Sequence, residues 1–475
     1  MRAKRRVTVH EQRKRIGQPS PQTAGVDRRN SAFLAILAVV VVAVMLPSAV
    51  LAQAGSLSQP DLGSAAAMQS LRESGRSDRG LRSGEFILTP SMELDVHHDT
   101  NVFNGNEREV GNEPVSGTSL RLIPRLGLTN GSDSDIQFAF DAAGDARIYI
   151  ADSNSALGEL TNFGGNADLA VTFFRRRAIS LTLSDNFARS LQANNWETTE
   201  TLNRLGNAIG ARVAFHPGEI PERRPLEIAL SGGYVTDSFD EFRSGNTTTI
   251  RSRLSGSWRF LPMTALLLDA RWDFRDYEAP SALGLTANST PWRVKAGLSG
   301  AITQTISFRA AGGYGMSQHD TTNEAATFSG FLASVGLLYR PSTLTLISIG
   351  YDRDFQDSFY GNFYSYHRGL VSLRQGFGSL VSATVWFNFS YATFGRFDRQ
   401  LDGIIITQRD RRDSQLRGGL RVNIEASRLL ALNLGYQVRG VITNYQLLAN
   451  DASQRILDVG AYMAHEIFAG VVVRY

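Results

Sequence analysis

Residues 136–150 read IQFAFDAAGDARIYI. Every second position is apolar or small: Ile136, Phe138, Phe140, Ala142, Gly144, Ala146, Ile148 and Ile150. Between them stand Gln137, Asp141, Asp145, Arg147 and Tyr149, with two alanines. Successive side chains of an extended chain point to opposite faces, so this is a strand with one apolar and one polar face. It is also far longer than the roughly five to six residues of an ordinary globular strand.

The alternation recurs along the chain. Ile250, Leu254, Gly256, Trp258 and Phe260 alternate with Arg251, Arg253, Ser255, Ser257 and Arg259. Leu266, Leu268, Ala270, Trp272 and Phe274 alternate with Leu267, Asp269, Arg271, Asp273 and Arg275. Leu430, Leu432, Leu434, Tyr436 and Val438 alternate with Ala431, Asn433, Gly435, Gln437 and Arg439. No helical pattern supplies a cover for these apolar faces, so lipid is the natural cover. In hydrocarbon every backbone polar group needs a partner, and a sheet satisfies that only by closing on itself. The expected fold is all-β: a transmembrane antiparallel up-and-down β-barrel.

About eighteen strands are expected, from 85–98 to 458–475, with 327–339 and 343–354 among them. Tight connections alternate with long ones. The tight set includes Leu261-Pro262-Met263, Arg340-Pro341-Ser342 and Phe377-Gly378-Ser379; the long set includes Gly395–Asp413 and Thr443–Leu457. Short periplasmic turns against longer outer loops is the asymmetry of outer-membrane barrels, and an even count puts both barrel ends on the periplasmic side. Trp258, Trp272, Tyr277, Trp292, Tyr314, Tyr339 and Tyr364 lie near strand ends and suit interfacial girdles. The final strand shows Ile467, Ala469, Val471, Val473 and the terminal Tyr475 on one face, the pattern of a carboxy-terminal signal for the outer-membrane insertion machinery.

The chain has 475 residues, 42% hydrophobic and 20% charged, with 44 Gly and no Cys. That excludes a disulfide scaffold, a thiolate metal site and a cysteine nucleophile. The formal net charge of +4 misleads. Residues 1–52 hold nine Arg and Lys against two acids, so the rest of the chain is net −3 and gives no ground for nucleic-acid binding. Arg28 and Arg29 precede the apolar run AFLAILAVVVVAVML at 32–46, and Val50-Leu51-Ala52 follows. This is the layout of a secretory signal peptide, with a cut expected before Gln53. The competing reading is an uncleaved anchor over 32–52. Pro47 and Ser48 interrupt the run where a cut site needs extended chain, which favours cleavage. The expected organisation is a signal peptide over 1–52, a Ser-, Gly- and Arg-rich periplasmic arm over 53–84, and the barrel over 85–475.

The stretch Glu85-Phe86-Ile87-Leu88-Thr89-Pro90-Ser91-Met92-Glu93-Leu94, followed by Asp99-Thr100-Asn101-Val102-Phe103, resembles the opening of the outer-membrane beta-barrel porin family. Residues 351–366, YDRDFQDSFYGNFYSY, resemble a later strand-loop-strand of that family. The family's aromatic before the Asp is His98 here. The resemblance implies an outer-membrane protein of a Gram-negative bacterium, of a kind associated with exopolysaccharide export. It also implies a periplasmic polysaccharide-export protein as partner, beside outer-membrane lipid and the barrel insertion machinery.

In barrels of sixteen to eighteen strands side chains leave an aqueous channel. The alternation puts Arg251, Arg253, Arg259, Arg271, Arg275, Arg293, Arg309, Arg417, Arg421 and Arg439 on its wall. Asp269, Asp273 and Glu425 are among the fewer facing acids, and Lys295 is the one Lys after residue 52. A basic wall attracts anions. The competing reading is that wall Arg and Asp pair across strands and stiffen the barrel. His97, His98 and Asp99 cluster, but adjacent strand residues face opposite ways, so no metal is expected. No Ser/His/Asp grouping supports catalysis, so neither an enzyme nor a cofactor is expected. Two transport readings remain: a passive conduit for polysaccharide export, and a diffusion porin for small, preferentially anionic solutes. An enzyme or a purely structural barrel is a third class. No loop has the length of a porin constriction loop, which tilts the expectation toward the wide conduit.

Overall fold

The computed structural model describes residues 80–475 apart from 106–112, 131–133, 151–156, 159, 194–200, 219–224, 241–244, 279–287, 321–326, 359–362, 396, 402–403, 409–410 and 445–460. The expected signal peptide and nearly all of the expected arm lie outside the described residues.

The first strands are β1 (Leu81–Ser83), β2 (Phe86–Asp99), β3 (Gly117–Asn130), β4 (Gln137–Ile150), β5 (Asn162–Phe173), β6 (Ile179–Ala193) and β7 (Thr201–Phe215). Next come β8 (Leu226–Phe239), β9 (Thr247–Leu261), β10 (Thr264–Tyr277), β11 (Ser289–Ala301), β12 (Ile306–His319), β13 (Phe328–Ser342) and β14 (Thr345–Asp357). The last are β15 (Phe363–Phe377), β16 (Val381–Phe394), β17 (Phe397–Leu401), β18 (Ile404–Gln408), β19 (Arg412–Glu425), β20 (Leu430–Thr443) and β21 (Tyr462–Arg474).

Strands β2–β16 and β19–β21 pair antiparallel in chain order, and β21 returns to β2. The closing register runs from Asp99↔Glu466 to Ser91↔Arg474. The result is a closed antiparallel barrel of eighteen long strands. Beyond Tyr475 the same edge of β2 is taken up by β1, with Leu81 opposite Leu88. Residues 81–83, read from sequence as arm, thus extend the line of β21. Strands β17 and β18 form a separate hairpin within the long 395–413 connection.

The outer face is apolar and uncovered: Leu230, Trp258, Trp272 and Ile467 are each more than half exposed. The inner face buries small and polar groups, among them Ala208, Ala229, Thr249 and Asp273. An exposed apolar belt on a closed sheet is stable only in hydrocarbon. Among the described residues no helix is long and apolar enough to cross a membrane; the crossings are strands.

Three details differ from the sequence reading. The turn expected at Arg340-Pro341-Ser342 sits at 343–344, and β13 carries a register shift between Tyr339 and Ser342. Proline has no N–H for the ladder, and a bulge accommodates it within the strand. Tyr364 is not in a lipid-facing girdle; it is buried against Tyr366, Ala392 and Phe394. Tyr277 shares the inward face with Arg275, two positions before it. By contrast the turn after β15 falls at Gly378, whose φ of 67° suits glycine.

Candidate functional site

The inward faces of β9, β10 and β11 carry the row of arginines that the alternation places on the wall. Arg253 stands directly opposite Arg271, and Arg271 directly opposite Arg293. Arg251 is opposite Asp273, and Asp269 is opposite Lys295. Carboxylates thread through this row. Arg253 reaches Asp269 at 2.6 Å and Arg271 reaches Asp273 at 2.7 Å. Where β8 offers Gly232 and Gly233, a shallow recess opens beside Arg251, Arg253 and Arg271. Arg309 and Arg421 are exposed on the inward face, and the Arg421 guanidinium lies 5.2 Å from the Phe468 ring. Arg259 is exposed at the tight-turn end of β9. Arg417 stands directly opposite Arg439.

The end of β14 nearest the long connections departs from the wall. Its ladder to β13 stops at Ala333↔Arg353, while its ladder to β15 continues to Asp357↔Phe363. From there its side chains reach β10, β11 and β12. Asp354 accepts hydrogen bonds from Arg293 at 2.8 Å and from Lys295 Nζ at 2.6 Å. Arg293 also donates to the Phe355 carbonyl at 2.6 Å, and its guanidinium lies 3.9 Å from the Phe355 ring centre. Asp357 accepts from Arg275 at 2.7 Å and from Ser289 at 2.5 Å.

Strands β12 and β13 stand between β11 and β14, so β11 and β14 are three spacings, roughly 14 Å, apart along the wall. The contacts therefore cut a chord across the inside of the barrel. The chord is possible because of what lies beneath it. A Cβ at Gly315 of β12 would stand 2.7 Å from the Phe355 ring and 2.8 Å from Leu332. Phe355 is 1% exposed and stacks on Phe328 with ring centres 4.2 Å apart. Residues 354–357 thus form a shelf that leans into the channel. It sets Arg275, Arg293 and Lys295 against the two carboxylates of Asp354 and Asp357.

A second polar cluster lies at the closing seam. His97 Nδ1 is 2.5 Å from Glu466 across the β2–β21 junction. Arg439 reaches Asp99 at 2.7 Å and Glu466 at 3.8 Å. Phe468 stacks on His97 with ring centres 5.2 Å apart. His98 faces the other way and meets Thr118 at 3.0 Å. Among the described residues no group of three or more His, Asp or Glu is placed to hold a metal.

The shelf residues Asp354, Phe355 and Asp357 were not singled out by sequence reasoning. A signal was present: Asp352 and Asp354 sit two apart, hence on one face, and the apolar face of Ile347, Ile349 and Tyr351 is broken at Arg353, just before Phe355.

Residues 229–394, about a third of the chain, match the family described as Putative beta-barrel porin 2. The match spans β8–β16, which hold the arginine row and the shelf, and it contains the 351–366 stretch. Several solved structures resemble the chain at low identity. OccAB3 of Acinetobacter baumannii aligns with a TM-score of 0.45 at 11% identity, covering 83% of this chain and 100% of that one. OpdK of Pseudomonas aeruginosa, crystallised with vanillate, aligns with a TM-score of 0.43 at 12% identity, covering 82% and 99%. OpdO of Pseudomonas aeruginosa aligns with a TM-score of 0.44 at 10% identity, covering 82% and 97%. No curated protein matches the chain.

Proposed function

We propose that this outer-membrane porin-type barrel is a passive diffusion channel for small polar solutes with a preference for anions. Access is narrowed by residues 354–357 of β14. The observation that carries the reading is the chord from Asp354 to Arg293 and Lys295, which draws wall side chains inward at the end bearing the long connections. Opposed charges at a narrow point orient a small polar solute and exclude apolar ones. With the inward Asp352 and Arg368 beside them, the four cations Arg275, Arg293, Lys295 and Arg368 against the three carboxylates of Asp352, Asp354 and Asp357 leave the balance positive. No step requires a cofactor, and no catalytic role is assigned.

Liposome swelling tests this reading. Vesicles holding the folded barrel should swell with small sugars and faster with small organic anions of equal size, with a sharp cutoff as solute size rises. Equal rates for anions and cations, or entry of large oligosaccharides, would remove it.

Export of polysaccharide, which the family resemblance implies, is the second reading. It asks for a lumen clear enough for a polymer and for a periplasmic export partner. The inward shelf favours the small-solute channel. Loss of surface polysaccharide on deleting the gene, with unchanged uptake of small anions, would reverse that preference.

A further inference from the structure

Strand β6 breaks the apolar outer face of the barrel at Asp185, near its middle, and again toward its long-connection end at Arg189, which stands opposite the outward Leu205. Ile179, Leu183 and Phe187 all point outward and are exposed, and Asp185 shares their face. The registers on both sides confirm its direction. Asp185 is directly opposite Leu169 of β5 and Ile209 of β7, and both are exposed on the outside. It lies near the middle of the fifteen-residue strand, so its carboxyl group sits at hydrocarbon depth. Asn207 of β7 also faces outward, between Phe187 and Thr236. Both side chains are half-buried; their Oδ1 atoms are covered by neighbouring side chains and have no hydrogen-bond partner among the described residues.

Side chains of this kind are costly against lipid, and where they occur in a spanning segment they usually face protein or water. The outward surface around them is also low. Ala211, Gly232 and Ser252 stand opposite one another in one row across β7, β8 and β9. Small residues let another backbone approach closely within a membrane, where packing rather than hydrophobicity drives association.

We propose that the β6–β9 face is the contact surface for a second copy of this barrel. The reason for a second copy is self-complementarity. One face carries an acceptor, the Asp185 carboxylate, beside a donor, the Asn207 amide. A twofold axis along the membrane normal brings each into reach of its complement, as an isologous interface requires. The inference rests on the barrel spanning lipid and not on what the channel carries.

The test uses the full-length protein, which has no cysteine of its own. Ile209→Cys lies beside Asp185 on the proposed contact; Val335→Cys faces outward on β13, away from it. Oxidation in intact outer membranes should give disulfide-linked dimers with the first variant and not with the second. In detergent, the particle mass of the wild type should correspond to two copies. The double variant Asp185→Leu, Asn207→Leu should fall to half that mass while keeping its heat-modifiable mobility. Equal cross-linking at both positions overturns the proposal, as does a wild-type mass of one copy. A folded double variant that keeps a two-copy mass overturns it as well. If the double variant does not fold, the cysteine pair alone decides.

Discussion

Asp354 of β14 holds the Lys295 ammonium at 2.6 Å, although two whole strands of the wall, β12 and β13, stand between them. Neighbours in a barrel normally meet across one strand spacing. This pair meets across three because β14 leaves its ladder with β13 after Arg353 and leans inward. The departure is stabilised from several directions: Arg293 binds both the Asp354 carboxylate and the Phe355 carbonyl, and the Phe355 ring packs on Phe328 and against Leu332.

Phe355→Ala should loosen this shelf. Removing a buried phenylalanine costs about 3–5 kcal/mol where the surroundings cannot collapse. Water in the lumen should hold the loss to the lower part of that range. Urea denaturation of the folded barrel in detergent should show the lowered midpoint, and single-channel recordings should show a larger, noisier conductance.

Gly315→Val acts on the same shelf from beneath. Its Cβ would stand 2.7 Å from the Phe355 ring, too close without movement. Overpacking of this kind costs about 1–3 kcal/mol. The expected outcome is a folded barrel, still heat-modifiable, in which Phe355 is displaced and conductance changes. Unaltered conductance with a folded protein would argue that the shelf does not limit passage.

Most of the fold was legible in the sequence because a period of two is fixed by backbone geometry. The alternating stretches at 137–150, 266–275 and 430–439 fall inside β4, β10 and β20. What escaped depended on events that alternation does not encode. The bulge at Arg340–Pro341 displaced a turn, since a proline can end a strand or be absorbed by a bulge. Tyr364 lay near a strand end, which suits a girdle, but its parity puts it inside, bonded to Gln356. The shelf was missed because a search for a constriction looked for a long loop, and here a strand end performs that part. The arginine positions were legible; their partners Asp354 and Asp357 were not, being some sixty to eighty residues away in sequence.

Replacing Arg251, Arg253 and Arg271 by Gln should shift ion selectivity toward cations. The substitutions remove three cations and release Asp269 and Asp273 from their pairs. Reversal potentials under a salt gradient measure the shift, and it should shrink as ionic strength rises, because lumenal water and salt screen wall charges. A fall in barrel stability with unchanged selectivity would mean that these pairs stiffen the wall and do no more.

Deleting Val471 to Tyr475 should abolish assembly. These residues pair with β2 from Leu94 to Pro90, and β20 pairs on their other side. Without them β2 and β20 present unpaired edges in hydrocarbon, at several kcal/mol for each exposed backbone group. Fractionation should find the truncated chain absent from the outer membrane, and full yield of heat-modifiable barrel would contradict the closing register.

The central claim is that small solutes pass through a lumen limited by the end of β14. The most direct measurement is single-channel conductance in planar bilayers for the wild type and for the double variant Asp354→Ala, Asp357→Ala. The account predicts discrete, anion-preferring openings for the wild type. In the variant, with Arg275, Arg293 and Lys295 released, conductance should be larger and anion preference stronger. A wild-type barrel that does not conduct, or a folded variant whose conductance and selectivity match the wild type, would contradict it.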